Sequence, residues 1–152
     1  MNRTVISDTS CLIALVKIGM LDILNELFDE VVITNEVYNE FSEALPHWIK
    51  VVDVENKQKQ SELEFWLDKG EASSITLAIE LGDATLIIDE SKGRKIAISF
   101  NLKIIGTIGI LILAKEKGII NDVVSIMLKL TNEGFRLSKA LIERIIQVYG
   151  QK

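Results

Sequence analysis

Apolar positions along this chain change their period repeatedly, and the changes mark out alternating strands and helices. Thr4 to Ser7 reads as a strand, and the spacing predicts a helix from about Ser10 to Lys17. Gly19 interrupts the pattern, which resumes with helical spacing from Leu21 to Phe28. Val31 to Thr34 is a second strand. A helix over Asn35 to Leu45 follows, and Pro46, the only proline, should stop it. Ile49 to Val54 alternates like a short edge or extra strand. Beyond the polar run Glu55 to Glu62, one helix is predicted to include Phe65, Trp66 and Leu67, and another opens after Gly70 and closes near Gly82. Ala84 to Ile88 is an apolar strand, Glu90 to Phe100 is helical, and Lys103 to Ile105 is a last strand. Ile108 to Lys117, Asp122 to Thr131 and Ser138 to Tyr149 complete the chain as helices. Strands alternating with helices predict an α/β fold with a doubly wound parallel sheet, in preference to a sandwich or a bundle. No repeat, low-complexity segment or composition boundary interrupts the 152 residues, so a single domain over 1–152 is expected.

Composition sharpens this. Hydrophobic residues make up 48% of the chain and mean hydropathy is +0.27, which excludes a disordered tail. Ile, Leu and Val dominate, as suits a parallel sheet covered on both faces. No apolar run approaches the roughly 20 residues that cross a bilayer, and Met1 to Thr4 leads straight into the first strand without a signal-peptide core. A single cysteine, Cys11, cannot form an internal disulfide. Core packing is its expected task, and a cytoplasmic location follows by default. The net charge of −5 argues against a protein that grips nucleic acid by electrostatics alone. Any such contact should be local and assisted by a metal.

The carboxylates carry the candidate chemistry. In open α/β sheets ligands bind beyond the carboxyl ends of the strands, and Asp8 and Asp89 each follow a predicted strand. Helix capping accounts for either one alone; two at the same edge of one sheet is a stronger signal. In the helix from Asn35, Glu40 falls about 40° from Ala44 and about 60° from Val37, bordering the apolar stripe, at roughly 100° per residue. Glu36 and Glu43 fall on the solvent side. Glu71 opens a helix, where the dipole favours an acid, yet the same count places it between Ile75 and Ala78, facing inward. No basic residue nearby is an obvious mate. Acids converging in this way raise one another's pKa values, and a hard divalent cation with oxygen ligands relieves the conflict. Mg²⁺ or Mn²⁺ suits such a set, whereas zinc prefers His or Cys. The only histidine, His47, reads as a loop residue beside Pro46.

These segments resemble a known family. Val5-Ile6-Ser7-Asp8-Thr9-Ser10 is similar to the opening strand and acid of PIN domains, and Val31 to Phe41 to their strand followed by a V-x-x-E-L helix, with Phe41 in place of the commoner Leu. Gly70-Glu71-Ala72 and Leu86-Ile87-Ile88-Asp89-Glu90 resemble the third and fourth acidic positions. Gly106-Thr107-Ile108-Gly109-Ile110-Leu111 looks like a prokaryotic branch related to VapC-type toxin ribonucleases. The likeness spans Val5 to about Tyr149. It implies a three-layer sheet of about five strands in order 3-2-1-4-5 and a metal-dependent endoribonuclease. It often implies a homodimer as well, and a small antitoxin occupying the active site. Carried onto this chain, the catalytic and metal-binding acids are Asp8, Glu40, Glu71 and Asp89, with Glu90 as an extra carboxylate that either touches the metal or stabilises its helix. Glu71 departs from the commoner Asp. Ser10, Arg94 and Lys95 become candidates for holding a phosphate, although capping accounts for Ser10 and an exposed helical face for the two cations equally well.

Three other readings compete. A degenerate PIN-like binding module without turnover would need no acids, yet all four are present. A receiver-like phosphoryl acceptor should crowd acids after the first strand and place a lysine after the last, where this chain has Gly106-Thr107. A dinucleotide site would need G-x-G-x-x-G after the first strand, and none is there.

Overall fold

The computed structural model describes residues 3–150. Five strands, β1 (Thr4–Ser7), β2 (Glu30–Thr34), β3 (Ile49–Val52), β4 (Thr85–Ile87) and β5 (Lys103–Ile105), form one all-parallel sheet in the order β3-β2-β1-β4-β5. Val5 lies opposite Val31 on one side and Thr85 on the other, and Ile6 opposite Val32 and Leu86. The chain leaves β1 towards β2 and β3 and returns to β4 on its other flank, so the strand order reverses between β1 and β4. In doubly wound sheets, ligands bind where this reversal opens a crevice at the carboxyl ends.

The helices are α1 (Thr9–Lys17), α2 (Asp22–Leu27), α3 (Asn35–Phe41), α4 (Lys57–Leu63), α5 (Lys69–Leu81), α6 (Ser91–Ser99), α7 (Thr107–Glu116), α8 (Val123–Asn132) and α9 (Lys139–Tyr149). Side chains alternate across each strand with period two, and this divides the interior in two. Val5, Val31, Ile33 and Ile87 point into a larger core closed by residues of α1, α2, α3, α7, α8 and α9. Ile6, Val32, Leu86 and Ile88 point the other way, into a smaller core closed by α4, α5 and α6. A fully buried Ile or Leu on either face stabilises the fold by about 1.5–3 kcal/mol relative to exposure. Cys11 is part of the larger core, as expected of a packing residue. Among the described residues no helix is long and apolar enough to cross a membrane.

Two elements differ from expectation. Helix α3 stops at Phe41, four residues earlier than predicted, because Ser42 takes a left-handed conformation (φ 60°) that closes the last turn. Pro46 therefore does not end the helix. Helix α4 lies inside the polar run at Lys57–Leu63, capped by the Asn56 side chain, while Phe65 and Trp66 stand exposed in the turn that follows. The sequence pattern places the aromatic pair inside a helix; in the fold they lie beyond its end, and Leu63 and Leu67 are turned inward.

Candidate active site

Asp8 and Asp89 come together at the crevice, because β1 and β4 are neighbours and each aspartate follows its strand. Asp8 is buried and both its oxygens are engaged. Oδ1 accepts from the Cys11 amide at 2.9 Å, capping α1, and Oδ2 accepts from the Asp89 amide at 3.3 Å. Capping and placement at the crevice are thus two uses of one carboxylate. Asp89 is not a cap. Its oxygens accept from the Thr107 amide at 2.8 Å and the Thr107 hydroxyl at 2.6 Å, at the start of α7. The α6 cap is Glu90, which accepts from the Gly93 amide at 3.0 Å. Gly106 leaves the room this requires, since an added Cβ would stand 2.9 Å from Asp89 Oδ1 and 3.3 Å from Arg94 Nη1.

Of the other two acids, Glu71 on α5 lines the cleft with Asp8 and Asp89, whereas Glu40 on α3 is not part of that lining. Glu40 is exposed, yet its carboxylate is held. It accepts from the Thr9 hydroxyl at 2.5 Å and from the Gly70 amide at 3.2 Å. Any Cβ at residue 70 would strike that carboxylate, so glycine is what lets Glu40 approach the start of α5. Glu71 is half-buried in the first turn of α5, next to the capping residue Asp68. Of the two acids expected on the solvent side of α3, Glu43 is exposed. Glu36 is instead partly buried, and accepts from Gln60 Nε2 at 2.8 Å.

Acids outnumber cations at the crevice. Burial, then the charge of Asp89, raises the Asp8 carboxyl to about 8, despite the opposing pull of its two amide donors. Burial also raises Glu71 to about 7, reinforced by Asp68, Glu90 and Glu40. Desolvation and Asp8 together push the buried Cys11 thiol upward, which keeps it protonated. The ion pairs among the described residues, Lys50–Glu30, Lys57–Asp53 and Lys59–Glu62, include none of these acids.

A cleft of about 560 Å³ opens over Asp8, Glu71, Asp89 and Glu90, with Ser10 and Lys17 on the α1 side and Phe135 and Arg136 on the loop between α8 and α9. As the side chains stand, no group of three or more carboxylate, His or Cys residues among those described is already gathered around one point in metal-binding geometry. The donor chemistry nevertheless fits a hard cation. All the candidate ligands are oxygens, two of them resist ionisation without compensation, and a carboxylate engaged in one or two hydrogen bonds keeps further lone pairs. Zinc does not fit, since His47 is exposed in a turn and Cys11 lies in the core.

Ser10 lines this cleft, and it is not the α1 cap, because Asp8 is. Arg94 lines an adjoining cleft and donates to the Ile88 carbonyl at 2.8 Å. Lys95 is exposed on α6 and lines neither. Sequence reasoning missed Thr107 as the residue that holds Asp89. The rule that singled out Asp8 and Asp89, a polar residue just after a strand, could have found it. Nothing in the sequence marks Lys17, Phe135 or Arg136, which arrive through packing of α1 and the α8–α9 loop.

An open parallel sheet with carboxylates at its switch point defines an α/β domain with an acidic cleft at the carboxyl ends of its strands. A family model described as a PIN domain matches residues 4–151, and the chain belongs to the PIN domain family. That membership associates it with the nucleases of the PIN superfamily, which generally depend on divalent metals. Among curated proteins, none matches the sequence significantly.

Proposed function

We propose that this PIN domain is an endoribonuclease that hydrolyses RNA phosphodiesters at the Asp8–Asp89 crevice with Mg²⁺ or Mn²⁺. The observation that carries the proposal is the shared cleft of Asp8, Glu71, Asp89 and Glu90, in which the Asp8 and Glu71 carboxyls are raised and none of the four is in an ion pair among the described residues. Asp8, Glu40, Glu71 and Asp89 are the ligand set, with Glu90 as a fifth carboxylate at the rim. A divalent ion bound there supplies a water of lowered pKa and offsets charge on the scissile phosphate.

The chain's own groups keep that set in place. The Cys11 and Asp89 amides fix the orientation of Asp8 in the wall of the cleft. Thr107 does the same for Asp89 with two donors. Thr9 and the Gly70 amide hold Glu40. Carboxylates held in this way lose little freedom when they bind a ligand. Ser10 lies on the α1 wall, where its hydroxyl is available to a phosphate oxygen.

Incubating the protein with single-stranded and hairpin RNA, and with DNA of the same sequences, tests this directly. RNA should be cut in Mn²⁺ or Mg²⁺, and cutting should stop in EDTA and in Asp8→Asn. Undiminished cutting by Asp8→Asn would remove the assignment. Metal binding without cutting of any strand would make the domain an interaction module instead.

A further inference from the structure

The crevice does not end at Asp89. A second cleft of about 600 Å³ opens on its far side, between β5, α7 and the start of α9. Asp89, Phe135 and Arg136 line both clefts, so the two adjoin along that acid and the α8–α9 loop. Their chemistry differs sharply. The first is lined by five acids, Asp8, Glu71, Asp89, Glu90 and Glu133, against two cations, Lys17 and Arg136. In the second, Asp89 is the only acid, the other charged side chains are Arg94 and Arg136, and the walls include Ile104, Ile112 and Leu141.

Neither arginine takes part in an ion pair among the described residues. Arg94 is anchored by one of its five N–H donors to the Ile88 carbonyl, directly before Asp89. Arg136 is exposed at the junction of the clefts. The close packing that forms the groove depends on Gly109, where a Cβ would stand 2.6 Å from the Ile105 side chain. Planar guanidinium groups match phosphate oxygens in pairs, and a nucleobase offers a flat apolar face to such a wall whatever its identity.

We propose that the second cleft is the subsite for the nucleotide adjoining the scissile phosphodiester, with Arg94 and Arg136 on its phosphate and the Ile104, Ile112 and Leu141 wall against its base. The proposal rests on the nuclease reading above and adds the route of the strand: from the acids, across Asp89, into the groove of opposite charge. A chain of net charge −5 thereby meets a polyanion through one local pair of cations.

Steady-state cleavage of a short single-stranded RNA in Mn²⁺ by wild type, Arg136→Gln and Leu141→Asn tests the subsite, with thermal melting of each variant as the folding control. For Arg136→Gln, KM should rise about tenfold, as expected for a lost charged hydrogen bond, while kcat stays at the wild-type value. The slope of log(1/KM) against log salt should become shallower by about 0.7, the increment for one phosphate contact on a single strand. Leu141→Asn should raise KM for ordinary RNA and leave it unchanged for a strand abasic at the adjoining position. If Leu141→Asn melts early, the salt slope of Arg136→Gln decides alone. Wild-type KM and salt slope in Arg136→Gln, with normal cleavage by the wild type, would overturn the subsite and leave the nuclease reading standing. A wild type inert towards RNA would overturn both.

Discussion

The protein treats its carboxylates in two opposite ways. On the sheet's outer flank Glu30 accepts from Lys50 at 2.5 Å, and in the loop after β3 Asp53 accepts from Lys57 at 2.7 Å. Hydrogen bonding from Lys50, then from Thr4, holds the Glu30 carboxyl below its ordinary value. Lys57, then Asn35, does the same for Asp53. At the crevice the direction reverses. Asp8 and Glu71 are desolvated, face other acids, and are raised to about 8 and about 7. On the surface the fold completes its own charges with lysines from nearby positions. At the β1/β4 crevice it lines one cleft with Asp8, Glu71, Asp89 and Glu90, alongside Lys17 and Arg136, and supplies backbone amides and the Thr107 hydroxyl to orient the two aspartates.

The strongest way to break this contrast is to remove a crevice acid. Asp8→Asn should lower the rate of RNA cleavage at least about a hundredfold, since charge stabilisation by a bound metal is worth several kcal/mol in the transition state. Removing a surface acid in Glu30→Gln should leave the rate unchanged. Equal losses in the two variants would show that the crevice is not special.

Adding the missing charge is the complementary experiment. In thermal melts, Mn²⁺ or Mg²⁺ at a hundredfold excess over its dissociation constant should stabilise the wild type by about 2.7 kcal/mol relative to EDTA, and Asp8→Asn should lose the effect. A wild type that melts identically in metal and in EDTA would count against an acidic metal centre.

Proton binding gives the contrast a pH signature. Between the ordinary aspartate value of 3.8 and about 8, the folded protein holds a proton on Asp8 that the unfolded chain has released. Glu71 acts in the same direction between 4.5 and about 7. Where the folded state binds more protons, stability falls as pH rises. In EDTA the melting temperature should therefore decline from about pH 5 to about pH 8. Metal binding should offset the decline, because the ion competes with protons for these oxygens. A rising or flat apo profile across that window would contradict the raised carboxyls.

Two smaller effects sharpen the comparison. Thr107→Val keeps the amide donor to Asp89 but removes the hydroxyl, and kcat/KM should fall about tenfold, the equivalent of one charged hydrogen bond. Wild-type kcat/KM in this variant would show that Thr107 does not position Asp89. The least effect belongs to Glu36, where Glu36 Oε1 and Gln60 Oε1 are both buried without a partner. Glu36→Gln provides an amide donor between them and should stabilise the protein by up to about 1 kcal/mol in chemical denaturation, without altering cleavage. Destabilisation by this variant would mean that the negative charge is itself needed there.

Much of the fold was legible because period and punctuation are local properties. The five strands, the parallel sheet and its order agree with the reading of Val5 to Tyr149 as a PIN-like chain. The errors fell where local signals were outweighed: Ser42 ended α3 before Pro46 could, and the capping residue Asn56 started α4 inside a polar run. Asp8 and Asp89 were visible as candidates because a strand end is recognisable from sequence, and Glu71 because its inward angle can be counted. Their partners were not. That Thr107 holds Asp89 from the start of α7 and that Gly70 admits Glu40 depend on contacts between residues 18 and 30 positions apart. Arg136 was the least visible, since nothing near it in the chain distinguishes it from any exposed arginine. The sequence by itself determined which residues form strands and helices and which acids follow the strands, because those properties depend on neighbours within a turn or two. Only the tertiary structure decided which of these acids meet, what holds them and which cations stand beside them, because burial and charge compensation are set by segments that come together in folding.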